Sequence, residues 1–419
     1  MGFRFIHAAD IHLDSPLRGL SAYEAAPVEQ LRGATREALK QLVTTAIEDQ
    51  VAFVVIAGDL YDGSWKDYRT GIFFAQQMGR LAKANIRAYV LHGNHDAESE
   101  MTKSLKMPDN VHVFSSRAPE IHTIEDLKVA LHGRSFPNRA VDENLAATYK
   151  APVKDFYNIG VLHTALEGYV EHPTYAPCTV NELHAKGYDY WALGHVHEFQ
   201  QWDGASTIVF PGNLQGRNIR ETGRKGAVSV TVNDAGKSIV ERLYLDVLRW
   251  EVLKVDVSDC TTLDSVAQKV GRGMSRMLEQ SDVCHAVRVV LEGSTSLHGA
   301  LFGNGAALRA QVIAQAASID SEKLWVEKVK VATTVPGQQQ VDPDSGEALS
   351  ELQVILAEAT ADPDFLAQLQ EELAPFLNKL PDDIKYDVPL LSLAREQRFG
   401  DLVTEVAPDL LARLSAKVA

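Results

Sequence analysis

The chain reads as an α/β protein, and three observations lead there. Over the first half, apolar runs of strand length alternate with longer stretches whose apolar residues recur at helical spacing. Several of those runs stop at a carboxylate, an amide or an imidazole. Two further runs, residues 228–232 and 239–247, look like antiparallel strands that close the set. Such alternation implies right-handed crossovers and a sheet whose strands are largely buried on both faces. Ligands of sheets like this collect beyond the carboxyl ends of the strands.

Residues 3–9 form the first expected strand, followed at once by Asp10-Ile11-His12. In an extended i, i+2 arrangement Asp10 and His12 project to one side, where a carboxylate and an imidazole could share a cation. Residues 28–50 carry Leu31, Ala34, Ala38, Leu42 and Ala46 at the spacing of an amphipathic helix. The second strand, 51–57, ends in Gly58-Asp59-Leu60-Tyr61-Asp62, and a helix is expected over 70–84. Residues 86–91 are apolar except for Arg87 and too short for a useful helix, so they read as a strand. They run into Leu91-His92-Gly93-Asn94-His95-Asp96, where glycine lets the backbone turn sharply and polar groups converge in one loop.

The same pattern returns twice. Residues 158–162 lead to His163, and 190–193 lead to Gly194-His195-Val196-His197. A strand over 207–210 then opens onto Pro211-Gly212-Asn213. Residues 1–247 are therefore expected to form one domain.

Near Arg249 the character changes. Expected strands at 252–257, 287–291 and 324–331, with helices at 263–278 and 308–317, make a small α+β capping domain over 248–334. In its last strand Val329 and Val331 alternate with Lys328 and Lys330, a half-exposed pattern. Residues 335–349, with Val335-Pro336-Gly337-Gln338-Gln339-Gln340, read as a linker. Acidic amphipathic helices are expected at 350–359, 365–380 and 402–416, so 350–419 forms a helical C-terminal segment. Helices that short bury little among themselves, which favours a docking role over a solvated tail.

Composition sets outer limits. Hydrophobic residues make up 45% and charged residues 23%, the balance of a globular protein. No apolar run approaches the roughly 20 residues that cross a bilayer. The N-terminus shows no secretory pattern, and Cys178, Cys260 and Cys284 are odd in number and widely spaced, so a reducing, cytoplasmic setting is expected. The net charge is −15, but residues 342–419 carry −10 of it. The acidity of the whole therefore does not exclude a nucleic-acid partner for the rest. Histidine is skewed the other way, with 12 of 14 before residue 198.

Asp10, His12, Asp59, Asn94, His163, His195 and His197 are the metal-ligand types that end apolar runs. Carboxylate and amide oxygens with imidazoles suit Mn²⁺, Fe²⁺ or Zn²⁺ and not a thiolate cluster. Seven donors are more than one such ion takes. Two ions sharing a bridging carboxylate, about 3.5–4 Å apart, accommodate them.

In this order D-x-H, G-D, G-N-H-D, a lone histidine and G-H-x-H resemble the calcineurin-like metallophosphoesterases. The resemblance implies a four-layer α/β/β/α sandwich and two divalent metal ions, with Mn²⁺ the leading choice. It implies that Asp10, His12, Asp59 and His197 hold one ion and that Asp59, Asn94, His163 and His195 hold the other, with Asp59 bridging. His95 would stabilise the transition state or protonate the leaving oxygen, and Asp96 would orient its ring. Ala8-Ala9-Asp10-Ile11-His12-Leu13-Asp14-Ser15-Pro16-Leu17, Gly58-Asp59-Leu60-Tyr61-Asp62 and Pro211-Gly212-Asn213-Leu214-Gln215-Gly216-Arg217 narrow the likeness to the DNA-repair exonuclease branch that contains SbcD and YhaO-type proteins. That branch implies a metal-dependent DNA nuclease, an SMC-like ATPase as partner for the C-terminal region, and a homodimer. Asp62 stands where archaeal and eukaryotic relatives tend to carry histidine.

Arg217, Arg220, Arg224 and Lys225, among Gly216, Gly223 and Gly226, form a basic segment that can neutralise phosphates without reading sequence. Salt bridges to Glu221 are the alternative use of the same charges. Arg18, after the Asp10 loop, is a further DNA-contact candidate. Two other functions fit the residues: a phosphoesterase for a nucleotide or phosphoprotein, and a non-catalytic DNA-binding or scaffold subunit with a vestigial site.

Overall fold

The structure is a computed structural model that describes residues 2–15, 28–62, 68–97, 107–166, 175–335, 352, 355–356, 358–360, 362–380 and 388–418. These fall into two compact units, Met1–Glu251 with Asp282–Ala286, and Val252–Ser281 with Val287–Ala419.

The first unit holds two six-stranded sheets. In one, β1 (Phe3–Ala8), β2 (Phe53–Ala57), β3 (Arg87–Leu91) and β4 (Val111–Val113) run parallel. In the other, β5 (Glu120–Ile124) flanks the parallel run β6 (Val129–Gly133), β7 (Tyr157–His163), β8 (Tyr190–Gly194) and β10 (Thr207–Phe210), with β9 (Gln200–Trp202) at the far edge. The first sheet is completed by β11 (Gly226–Val232) and β12 (Ser238–Tyr244), antiparallel to β1 and to each other. They are the closing strands that the sequence leads one to expect. Its order is β12-β11-β1-β2-β3-β4, and that of the second sheet is β5-β6-β7-β8-β10-β9.

Side-chain alternation explains the layers. Along β2, Val54 and Ile56 face α1 (Val28–Glu48) and α2 (Tyr68–Lys83), while Phe53, Val55 and Ala57 face the other sheet. Along β8, Tyr190 and Ala192 join the core between the sheets, and Trp191 and Leu193 pack outward on the helical side. The result is helices, sheet, sheet, helices. All five residues of β2 are buried, as a strand covered on both faces requires.

The parallel runs put the carboxyl ends of β1, β2, β3, β7 and β8 together. His163, the last residue of β7, is in register with Gly194, the last of β8, so His195 follows directly beside it. Asp10 and His12 do not continue the strand. They sit beyond it with φ of 50° and 45°, and Asp59 and His195 are likewise at 50° and 103°. Positive φ is costly for these residues and clusters at sites where the backbone must aim side chains.

β13 (Leu248–Asp256) and β14 (Cys284–Ser294), most of whose residues belong to the second unit, form a three-stranded sheet with β15 (Leu324–Thr334). Its apolar residues pack with Val266, Val270 and Met274 of one helix (Leu263–Glu279) and Leu308 and Val312 of another (Gly305–Asp320). The C-terminal helices Pro363–Lys379, Pro389–Arg395 and Phe399–Val418 follow. Of the expected helix over 350–359 and the linker over 335–349, most residues lie outside the described ones. Among the described residues no helix is long and apolar enough to cross a membrane.

Candidate metal centre

Two donor groups converge beyond the strand ends. Asp10, His12 and His197 bring one ligand atom each within 4.8 Å of the others, and Asp59, His163 and His195 do the same. Asp59 lies between them, its Oδ2 3.9 Å from His12 Nε2 and 3.5 Å from His163 Nε2. Asn94 Oδ1 stands 2.9 Å from His163 Nε2. All seven residues singled out in the sequence as ligand types are therefore brought into one pocket.

Neighbouring groups determine which nitrogens point inward. His163 Nδ1 lies 3.0 Å from the Ala57 carbonyl, and His197 Nδ1 lies 2.8 Å from Glu221 Oε1. Each Nδ1–H donates there, which fixes the ring and turns each Nε2 to the pocket. His12 Nε2 and His197 Nε2 then face one another at 3.3 Å. Imidazole nitrogens and carboxylates that converge in this way need a positive charge among them. Burial pulls His163 down, but Asp59 outweighs it and holds the ring up at about 9. Burial likewise raises Asp59, yet His163 and His12 leave it below the usual carboxylate range. A set of hard oxygens and imidazoles under this demand fits divalent cations.

The backbone is built tightly around these groups. A Cβ on Gly58, which has φ of 97°, would collide with the His163 ring. A Cβ on Gly93 would collide with Asp59 Oδ1. Asp59 Oδ1 in turn accepts the His95 backbone N–H at 3.0 Å, and the Asp10 carboxylate accepts that of His195 at 2.9 Å.

His95 is the second residue of a single helical turn, Asn94–Ala97, where a loop was expected, and its side chain is 32% exposed beside the His12 ring. The carboxylate on its Nδ1 is Asp62, at 2.9 Å, which corrects the expectation that Asp96 orients the ring. Asp96 is fully buried and accepts the backbone N–H groups of Leu60, Tyr61 and Gly93 at 2.8–3.0 Å. Successive residues of a helical turn point about 100° apart, so Asp96 turns under the Asp59 loop when His95 turns over it. Burial, aided by the Asp59 charge, pushes Asp96 up to about 7 despite those amides.

Sequence reasoning also missed Glu221 as a hub. Its carboxylate receives His197 Nδ1, the Arg217 amide at 2.7 Å, the Arg217 guanidinium at 2.9 Å and Asn213 Nδ2 at 3.0 Å. Burial works against its ionisation, but His197 and Arg217 hold it well below the usual carboxylate range. Arg217 is therefore tied into the site. Lys225 is buried, its Nζ 2.9 Å from the His197 carbonyl, so it is a structural brace and not the free phosphate contact expected from the sequence. Arg220 and Arg224 are exposed, and Arg18 lies outside the described residues.

Comparison with known proteins agrees with this geometry. Residues 3–199 match the calcineurin-like phosphoesterase family, and residues 250–334 match the middle domain of metallophosphoesterase YhaO. A Bacillus subtilis protein described as an uncharacterized metallophosphoesterase, YhaO, is 36% identical over 295 residues, 69% of this chain and 72% of its own length. The chain belongs to the calcineurin-like metallophosphoesterases. More distant is a DNA double-strand break repair protein, Mre11, of Methanopyrus kandleri, at 25% identity over 303 residues, 64% of this chain and 63% of that protein. The Mre11 of Archaeoglobus fulgidus is 25% identical over 244 residues, 53% of this chain and 52% of its length. Membership in the metallophosphoesterases makes the chain a hydrolase of phosphoesters, and the two donor groups meeting at Asp59 are its candidate dimetal centre.

Proposed function

We propose that this metallophosphoesterase is a metal-dependent DNA nuclease that works beside an SMC-like ATPase. The observation that carries the reading is the meeting of the two donor groups at Asp59 with His95 half-exposed at their edge. The likeness to the two Mre11 repair proteins supports DNA as the substrate.

In this reading Asp10, His12, Asp59 and His197 hold one divalent ion, and Asp59, Asn94, His163 and His195 hold the second, with Mn²⁺ the leading choice. When bound, such a pair supplies Lewis acidity toward a phosphate oxygen and lowers the pKa of water. The chain's own residues do the rest. The Ala57 carbonyl and Glu221 accept Nδ1–H of His163 and His197 and so aim their Nε2 atoms inward. Asp62 holds Nδ1 of His95, which leaves Nε2 to give a proton to the departing ester oxygen. Arg217, anchored on Glu221, adds positive charge near Asp10 and Asp62, where a phosphate would be drawn in. A proton donor of this kind is worth roughly 10²–10⁴ in rate.

The test offers purified protein with Mn²⁺ linear single- and double-stranded DNA and, separately, a chromogenic phosphodiester, with His95→Ala as control. DNA cleavage that the control loses is the expected result. Turnover of the small ester alone moves the assignment to a nucleotide or phosphoprotein phosphoesterase. No turnover of either moves it to a non-catalytic subunit.

A further inference from the structure

Two exposed arginines on the first unit are stacked on aromatic rings. The Arg242 guanidinium carbon lies 4.7 Å from the centre of the Phe199 ring and 5.0 Å from that of Tyr244, and that of Arg224 lies 4.9 Å from Tyr244. Neither guanidinium meets a carboxylate among the described residues. Among the described residues the guanidinium of Arg242 donates one hydrogen bond, to the Arg224 carbonyl at 3.4 Å. Tyr244 is 45% exposed.

The placement follows from strand geometry. On the edge strand β12, Val240, Arg242 and Tyr244 share a face by alternation, and Val240 packs on the core between the sheets. Phe199 lies two residues beyond His197, and Lys225, next to Arg224, holds the His197 carbonyl. The row of rings and guanidinium groups thus starts at the backbone of a proposed metal ligand. Acidic neighbours do not cancel it: Glu198 lies 3.6 Å from Lys225, and Glu241 points to the opposite face of β12.

Arginine on a ring keeps its N–H edge available, and the ring restrains a side chain that would otherwise lose rotamer entropy on binding. Two such cations without carboxylates match a chain of phosphates, and an exposed tyrosine edge matches a base. We propose that Phe199, Arg242, Tyr244 and Arg224 form a backbone-binding track that leads a nucleic-acid strand to the His197 side of the centre. The proposal rests on the reading of DNA as substrate and gives it a path.

The rival use of these residues is to seal the open side of the sandwich with arginine stems. The experiment measures binding of the full chain to fluorescein-labelled single-stranded and duplex DNA by anisotropy, in EDTA so that no cleavage enters, at low and raised salt. It compares wild type with Arg224→Ala/Arg242→Ala and Arg224→Lys/Arg242→Lys. The alanine pair is expected to weaken binding at least about tenfold and to flatten the salt dependence by about one to two phosphate contacts. The lysine pair keeps the salt dependence and loses affinity a few-fold, because ammonium groups do not stack in the same way. A larger loss on single strands or on duplex tells which form uses the track. Wild-type affinity and salt slope in the alanine pair overturn the proposal, as does absence of DNA binding by the wild type. Should the alanine pair lose its near-ultraviolet circular dichroism, the lysine pair decides, and unchanged affinity there overturns it. Wild-type protein that binds through this track but cuts no DNA with Mn²⁺ supports the track and removes the nuclease reading.

Discussion

His197 and Glu221 are joined by a 2.8 Å hydrogen bond from ring Nδ1 to Oε1, and the same carboxylate anchors Arg217. One buried acid thus sets the tautomer of a proposed metal ligand and the place of the nearest guanidinium. Glu221→Ala is expected to lower Mn²⁺ affinity about 10- to 100-fold, the usual cost of removing a partner that orients a ligand. Glu221→Gln retains an acceptor and should lose less. Calorimetric titration of metal into each variant reads this directly. Equal affinities in all three proteins would show that His197 needs no such partner.

Asp62 makes a different prediction, because it touches the proposed proton donor. Removing its carboxylate leaves His95 free to rotate and lowers the share of rings with the proton on the correct side. Asp62→Asn is expected to reduce kcat on a chromogenic phosphodiester by about 10²-fold. Asp96→Asn should act otherwise. It disturbs the three backbone N–H groups that Asp96 accepts from Leu60, Tyr61 and Gly93, so thermal stability falls first. A stability loss of roughly 1–3 kcal/mol is the scale for orphaning buried amides. Interchanged phenotypes of the two variants would reverse the roles given to these carboxylates.

How far these details were legible depends on the kind of signal. The strands that deliver ligands were readable because Phe53–Ala57 and Tyr190–Gly194 are apolar on both faces, as burial in the middle of a sandwich demands. The seven ligand types were readable because each ends such a run. Val111–Val113 and Glu120–Ile124 were not, since they are half-buried edge strands whose His112, Glu120 and His122 interrupt any periodicity. The extended arrangement assumed for Asp10 and His12 failed because both have positive φ, which leaves no mark in residue type. The roles of Asp62 and Glu221 depend on contacts across 33 and 24 positions of chain, and spacing carries no record of such pairs. Lys225 was misjudged for the same reason, as charge alone does not say which way a side chain turns.

His7 supplies a prediction about acid. Its ring is fully buried, with Nε2 3.1 Å from the Leu193 carbonyl and Nδ1 3.0 Å from the Tyr190 hydroxyl. Nε2–H donates to the carbonyl and Nδ1 accepts from the hydroxyl, a pattern that only the neutral ring can make. Burial drives its pKa down to about 3 from an ordinary 6.5. Below 6.5 the unfolded chain takes up a proton at this site that the folded chain refuses. Stability is therefore full above about pH 6.5 and is lost progressively as pH falls toward 3, by a few kcal/mol in all. His7→Leu should cost about 1–3 kcal/mol at neutral pH by orphaning both partners, yet show a shallower decline in acid. Melting temperatures of both proteins across this range check it, and parallel curves would remove His7 from the explanation of acid sensitivity.

The metal pair itself leads to the last prediction. Asp10, Asp59 and Asn94 are almost completely buried, and His163 is wholly so, in a pocket where imidazoles and carboxylates converge. Cations that bind the folded pocket and not the unfolded chain must raise stability by mass action, by about 2.7 kcal/mol at a free concentration 100 times Kd. Manganese added to metal-free protein is thus expected to raise the melting temperature in a saturable way, and chelation to reverse it. Asp59→Asn removes the carboxylate between the two groups and should abolish most of the shift. Asn94→Ala and His163→Ala should spare the part due to Asp10, His12 and His197, while His12→Ala should spare the part due to Asp59, His163 and His195. A single site lost as a whole in every one of these variants would mean one ion in the pocket, and an unchanged melting temperature with manganese would leave the dimetal reading without support.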